Sequence, residues 1–321
     1  MIYGFTRSHR MRFAARFAMA AALVVAMTSL ASAQQSFSSA EEAADALAKA
    51  AKSGDRNAIL TVLGRDGDDI VSSGDDVADA AAREQFVAAY DAKHQLTMEG
   101  DSKATMVIGQ DDFPFPIPLV RKDGKWQFDT AAGREEVLLR RIGRNELDAI
   151  KTCLAIVDAQ QDYADKGVGG TGVYAQRIVS RPGKKDGLYW PSRDGEDESP
   201  LGELAAAATA QGYRAGKERQ PYHGYYFKIL TRQGERAPGG AIDYRVRGKM
   251  IGGFALVAWP AEYGNSGVMT FAVNHQGTVY QKDLGSETAR VASSMTSFNP
   301  DTTWQRVDED GKVQSGGDKS P

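Results

Sequence analysis

One stretch limits the folds open to this chain more than any other: Arg144 to Ala164, which contains neither proline nor glycine. Its large apolar residues fall at Leu147, Ile150, Leu154 and Val157, with a second row at Cys153, Ile156 and Tyr163. That spacing makes an apolar stripe along one side of a helix, with Glu146, Asp148, Lys151 and Asp158 on the other. Asn145 is a candidate N-cap, although the helix can begin earlier. Asp129-Thr130 can cap a segment from Ala131 to Ile142, and a glycine inside a helix, here Gly143, costs only about 1 kcal/mol. A single helix over 131–165 is therefore compatible with the pattern. Alanine-rich helices precede it, and glycines, aromatics and short strands follow. It is expected to be the spine of the second half and the link between two units.

The N-terminus bears on compartment. Arg7, Arg10, Arg12 and Arg16 come without an acid, an apolar run extends from Phe17 to Leu30, and Ala31-Ser32-Ala33 precedes Gln34-Gln35. This is the layout of a secretory signal peptide cleaved after Ala33, so a periplasmic or secreted location is expected. The apolar run is shorter than the roughly 20 residues a span needs, so no membrane span is expected after cleavage. Without the leader's four arginines, 35 Lys and Arg face 42 Asp and Glu, a net charge of −7. The chain as a whole then has no general electrostatic reason to bind nucleic acid or an anionic membrane surface. Cys153 is the single cysteine, which excludes an intrachain disulfide. Its place in the apolar row predicts a buried thiol.

Residues 34–130 read as an α+β unit. Ser38-Ser39 before Glu41-Glu42 signals a helix start, with helix over Ala43–Lys52, a second stretch over Arg56–Leu63 and a third helix over Asp75–Lys93. The period then switches to two. Strands are expected at Gln95–Gly100, Lys103–Ile108, Phe115–Arg121 and Lys125–Asp129, with a hairpin turn at Lys122-Asp123-Gly124. Alternate prolines in Phe113–Pro118 confine that stretch to a sheet edge. Residues 131–307 read as the long helix followed by an antiparallel sheet. Of 24 aromatic residues after the leader, 13 lie between Tyr189 and Tyr280, which places the main sheet core there. Strands are expected at Gly224–Thr231, Ala241–Arg247, Met250–Trp259, Val268–Asn274 and Thr278–Lys282, with a helix at Leu201–Gln211 and a last one from Ser286 to Met295. Residues 308–321, charged and glycine-rich, are expected to be a disordered tail. The expected fold class is α+β: a cone-like helical and antiparallel-sheet domain joined by a long helix to an antiparallel sheet domain.

Resemblances follow from particular residues. The pattern over the first 95 residues or so after the leader resembles the cone-shaped fold named after nuclear transport factor two. Asn145-Glu146 and Ala149-Ile150 through Gln160 and Tyr163-Ala164, followed by Gly224-Tyr225-Tyr226-Phe227, Phe254 to Ala258 with Pro260, and Gly267 to Val273, resemble the globular head of type IV pilins and type II secretion pseudopilins. Pilins begin this helix with an apolar span, whereas here a soluble domain takes that place. Over the mature chain, Phe113 to Val120, Arg141 to Leu147, Asp186 to Pro191, Pro221 to Phe227 and Lys249 to Gly264 resemble the domain of unknown function 2950 family of secreted bacterial proteins. That resemblance implies an envelope address and no mechanism.

Catalytic spacing is sparse. Gly264-Asn265-Ser266-Gly267 lacks a spacer of the nucleophile elbow, and no zinc-protease or P-loop motif is present, so no catalytic residue, cofactor or metal ligand is assigned. Gly167-Val168-Gly169-Gly170-Thr171-Gly172 matches a dinucleotide fingerprint in form but follows a helix, and reads as a helix exit. Acids from Asp194 to Glu198 form a loop that could bind calcium, as pseudopilin heads often do in a nearby loop, but a single solvated position among them is enough to defeat that reading. His94 suits the end of a helix and His275 a hairpin turn. His223, between Tyr222 and Gly224-Tyr225-Tyr226, stands out. A ligand cleft of Trp190, His223, Tyr225, Trp259 and Glu262 is one expectation, with Glu262, Tyr263 or Asp186 as the carboxylate or phenol partner. The favoured reading is a non-catalytic interaction or assembly module, with envelope or secretion-system proteins or a second copy as candidate partners. The other is a secreted enzyme or small-ligand binder centred on His223.

Overall fold

Ser39 opens the first helix, accepting the Glu42 N–H at 3.1 Å while the Glu42 carboxylate takes the Ser38 N–H at 2.9 Å. A computed structural model describes residues 34–192, 195–214 and 220–314. The expected leader and its cleavage site lie outside the described residues, as do Asp194 of the acidic loop and the last seven residues. The described residues fall in one compact α+β unit. Helices α1 (Ala40–Ser53), α2 (Arg56–Leu63), α3 (Asp68–Val71) and α4 (Asp76–Ala92) come first. Strands β1 (His94–Glu99), β2 (Lys103–Ile108), β3 (Phe113–Pro114), β4 (Leu119–Lys122) and β5 (Lys125–Phe128) form an antiparallel sheet in the order β1-β2-β4-β5, with β3 also on β2. The small residues Ala40, Ala43, Ala44 and Ala48 let α1 lie close to this sheet, over a core that includes Met106, Leu119 and Phe128.

One local expectation changes here. Phe115–Pro118 is not strand, because prolines at 116 and 118 have no N–H for a ladder, and regular pairing resumes only at Leu119. Between α2 and α3 the chain makes a 3₁₀ turn over Arg65–Gly67.

Helix α5 runs unbroken from Thr130 to Asp165, 36 residues, through Gly143. Asp129 caps it by accepting the Ala132 N–H. Gly133 is required by close approach: a Cβ there would lie 2.6 Å from Ile117 Cα. Asn145 is no cap but a buried mid-helix residue, donating to the Ser266 carbonyl at 2.9 Å. The deeply buried row is Ala149, Cys153, Ile156, Gln160 and Tyr163, whereas Leu147, Leu154 and Val157 are half-buried flanks. Cys153 is fully buried, and burial pushes its thiol pKa well up. Gln160 earns its place in that row by pairing both ways with the Ala175 backbone, each bond 2.8 Å.

After α6 (Gly202–Ala210) come β6 (Tyr225–Leu230), β7 (Arg232–Gln233), β8 (Ile242–Asp243), β9 (Arg245–Val246), β10 (Lys249–Met250), β11 (Ala255–Pro260), β12 (Met269–Asn274), β13 (Val279–Asp283), α7 (Thr288–Ser294) and β14 (Gln305–Val307). The main sheet is an antiparallel meander, β14-β13-β12-β11-β6. One face, with Tyr225, Leu256, Ala258, Phe271 and Val273, packs on α5. The other, with Leu230, Ala255, Val257, Ala272 and Tyr280, is covered by α7 and the 237–254 segment. The expected strands at Ala241–Arg247 and Met250–Trp259 are each interrupted, at Tyr244 and at Ile251–Phe254, where the chain leaves one small hairpin for the main sheet. The last helix starts at Thr288 rather than at Ser286, after a 3₁₀ turn. Residues after Val307 turn back, with Gln314 donating to the Arg306 carbonyl at 2.9 Å and Gly311 lying over Leu147 and Ile150.

Candidate functional site

Tyr222-His223-Gly224-Tyr225 is a two-residue hairpin turn. Tyr222 and Tyr225 exchange backbone bonds of 2.8 and 3.1 Å, and the central pair has φ of 50° and 75°. Positive φ at both central positions is the primed turn that matches strand twist; glycine takes it freely and histidine at a cost. The turn aims the imidazole back at α5. Its Nδ1 lies 2.9 Å from Asp148 Oδ2 and its Nε2 3.0 Å from Gln211 Oε1. Tyr222 meets the ring edge-on at 4.2 Å and Tyr213 stacks at 5.9 Å. The His223 bond holds the Asp148 carboxyl below the usual carboxylate range, against the opposing effect of burial. With Nδ1–H given to Asp148, Nε2 can donate when the ring is charged or accept from the Gln211 amide when it is neutral.

Beneath this turn lies Asp75, only 1% exposed. Its Oδ1 caps α4 through the Val77 and Ala78 N–H groups, at 3.2 and 3.1 Å. Its Oδ2 accepts the Tyr213 hydroxyl and the Gly224 N–H, both at 2.9 Å. Burial, with the Asp75 charge beside it, raises the Tyr213 phenol pKa strongly. The Tyr213 oxygen in turn accepts the His223 N–H at 3.2 Å. One carboxylate thus fixes both a helix start and the histidine turn.

A second polar group sits nearer the start of α5. Arg141 donates to the Asp69 and Ile70 carbonyls and to Asn265 Oδ1. Asn265 passes its amide to the Ser72 carbonyl and to Glu262, each at 2.8 Å. Glu146 accepts the Val268 and Met269 N–H groups, both at 2.9 Å. Burial lowers the Arg141 pKa and raises that of nearby Asp79, whose carboxylate accepts the Ser73 N–H. Outside this cluster opens a cleft of about 650 Å³, lined by Arg56, Arg65, Asp66, Asp68, Asp69, Arg134, Glu262 and Asn265. Its walls largely neutralise themselves: Arg56 pairs with Asp68 at 2.6 Å, and Arg134 grips Asp69.

The five residues expected to share a cleft are distributed differently. Trp190 is in the α5 core, its ring edge-on to Tyr163. Tyr225 is fully buried on the same sheet face, its hydroxyl donating to the Met269 carbonyl at 2.9 Å. Trp259 lies on the opposite face, against Tyr226. Glu262 lines the polar cleft, and His223 stands at the Asp148 turn. The histidine's carboxylate partner comes from the polar side of the spine helix rather than from Glu262 or Asp186, which instead bonds Arg181. Sequence reasoning missed Asp148, Asp75 and Gln211 as a group, although Tyr-His-Gly-Tyr carries a turn signal.

His94 ends α4's connection by stacking on Tyr90, with Nδ1 on the Tyr90 carbonyl, and His275 packs edge-on to Tyr244. The glycine run at 167–172 follows the end of α5, in a unit whose named strands all pair antiparallel. No curated protein and no solved structure matches the chain. A family model described as "Protein of unknown function (DUF2950)" matches residues 34–307. Fold, polar junction and histidine turn all fall inside that span, and the chain belongs to this family of unknown function.

Proposed function

We propose that the protein is an exported envelope component that works by docking rather than by catalysis, an interaction or assembly module whose second half is built like a pilin or pseudopilin head. The observation that carries this reading is the α5 helix laid along one face of a five-stranded antiparallel meander, with a long connection between them. In place of a membrane-spanning first half, the helix carries the α1–β5 layer, fastened to the sheet end through Asp75 and Arg141. Among its described residues no helix is long and apolar enough to cross a membrane. The partners are envelope or secretion-system proteins, or a second copy. N-terminal sequencing of the exported chain should begin at Gln34. A photocrosslinker at Leu139, 58% exposed on α5, should give one discrete adduct in whole cells. A chain retained in the cytoplasm, or one giving only diffuse adducts, would sink the proposal.

A second reading rests on the His223–Asp148 pair: an imidazole about a quarter exposed and oriented by a carboxylate suits proton transfer or recognition of a small polar ligand. Its test is thermal-shift screening with sugars, amino acids and organic phosphates. A hit that disappears in both His223→Ala and Asp148→Asn supports it; hits that survive both changes remove its centre.

A further inference from the structure

The chain is acidic overall, but one hairpin reverses the sign. Arg245-Val246-Arg247-Gly248-Lys249-Met250-Ile251 carries three cations and no acid. β9 and β10 pair Val246 with Lys249 and Arg245 with Met250 across a two-residue turn, Arg247 at φ 53° and Gly248 at φ 79°. Met250 is fully buried and anchors the hairpin, supported by the Tyr174 N–H on the Met250 carbonyl at 2.8 Å and the Gln176 amide on the Gly248 carbonyl at 2.8 Å. The pleat then turns Val246 and Lys249 outward together, with Ile251 two positions beyond on the same side. Val246 is 47% and Ile251 48% exposed. Arg245 meets Asp243 only at 3.8 Å, and among the described residues Arg247 and Lys249 form no ion pair.

Two exposed apolar side chains between unpaired cations, on a tip held rigidly from behind, match the chemistry of a bilayer interface. Headgroup phosphates attract the cations, and the apolar pair enters the headgroup boundary. We infer that the β9–β10 hairpin is a peripheral docking surface for an anionic phospholipid bilayer. A soluble polyanion would engage the charges alone and would leave Val246 and Ile251 without a role. The inference stands apart from His223 and does not depend on the pilin-like reading.

The test is cosedimentation of the chain from Gln34 onward, whose described residues make one unit with their own cores. Vesicles of phosphatidylglycerol mixed with phosphatidylcholine are compared with phosphatidylcholine alone. Binding is expected only to the mixed vesicles, and it should weaken as salt screens the charges. Arg247→Gln/Lys249→Gln should lower partitioning about fivefold for each cation removed. Val246→Ser/Ile251→Ser should lower it severalfold while leaving the salt dependence in place. All four positions are exposed, and unchanged circular-dichroism melting curves confirm that the variants fold. Equal binding to both vesicle types, or no loss in either variant pair, overturns the inference. So does retention on heparin that falls with the charge variants and ignores the serine pair, which would identify the surface as a polyanion reader.

Discussion

Asp75 satisfies four donors with two oxygens while almost wholly out of water, so its removal should be among the most damaging single changes in the chain. Asp75→Ala strands the α4 cap donors, the Tyr213 hydroxyl and the Gly224 N–H, and is expected to cost about 3–5 kcal/mol. Asp75→Ser keeps a good cap and loses the other two contacts, so it should cost about half as much; urea melts distinguish the two. Two other acids should respond to pH with opposite signs. Asp148 has a lowered folded pKa, so its stabilisation is present above the ordinary carboxylate value and is lost as pH falls through the folded one. Asp148→Asn should therefore lower the melting temperature at neutral pH and converge on wild type in acid, by under about 1 kcal/mol because the pair is partly solvated. Asp79 has a raised folded pKa, so its contribution is full below the ordinary value and is lost as pH rises through the folded one. Asp79→Asn should leave the protein equal or more stable at neutral pH, with the gain absent in acid. Melting curves across pH for both variants check the pair.

Among the elements, α5 offers two glycines ten residues apart with opposite expectations. Gly143 lies mid-helix with nothing within 4 Å of a would-be Cβ, so Gly143→Ala should stabilise by about 1 kcal/mol through helix propensity alone. At Gly133 the Ile117 backbone occupies the space, and Gly133→Ala must push the proline-rich strap away from the helix. It should destabilise by about 1–3 kcal/mol, as overpacking does. If both changes stabilised, the strap would not lie where it is described. That strap also shows how prolines shape an element: they stop β4 from starting early and leave a backbone that can pass over the helix only where no side chain stands.

At the scale of the molecule, the polar junction ties the helical layer to the meander. Arg141 reaches carbonyls at Asp69 and Ile70 and the side chain of Asn265, residues that precede and follow α5 in the chain. Arg141→Ala leaves those acceptors without a partner in a half-buried site, and a loss of about 2–4 kcal/mol is expected. Far-ultraviolet and near-ultraviolet circular dichroism should report one transition in the wild type and the same shift for both signals in the variant. Separate midpoints would mean that the two layers unfold independently and that the junction is a contact without coupling.

The sequence by itself determined the α+β class, the long helix, the capping box at Ser39, the antiparallel strands and the burial of Cys153. Each follows from local periodicity, capping or the position of an apolar row, which adjacent residues are enough to specify. Tertiary structure decided which row of α5 is deepest, because that depends on where the sheet lies across the helix and not on the stripe alone. It also decided the histidine's partners. By sequence Asp148 is an acid on the polar side of its helix and Asp75 the first residue of another, and only the primed turn at His223 and Gly224, folded back across 75 and 149 residues respectively, brings them together. Trp259 and Tyr225 show the same division. Both are aromatic and lie close along the strands in register, yet the pleat sends them to opposite faces of the sheet. Local interactions choose elements within a few residues, whereas a site is a meeting of distant side chains, and its geometry exists only once the cores have closed.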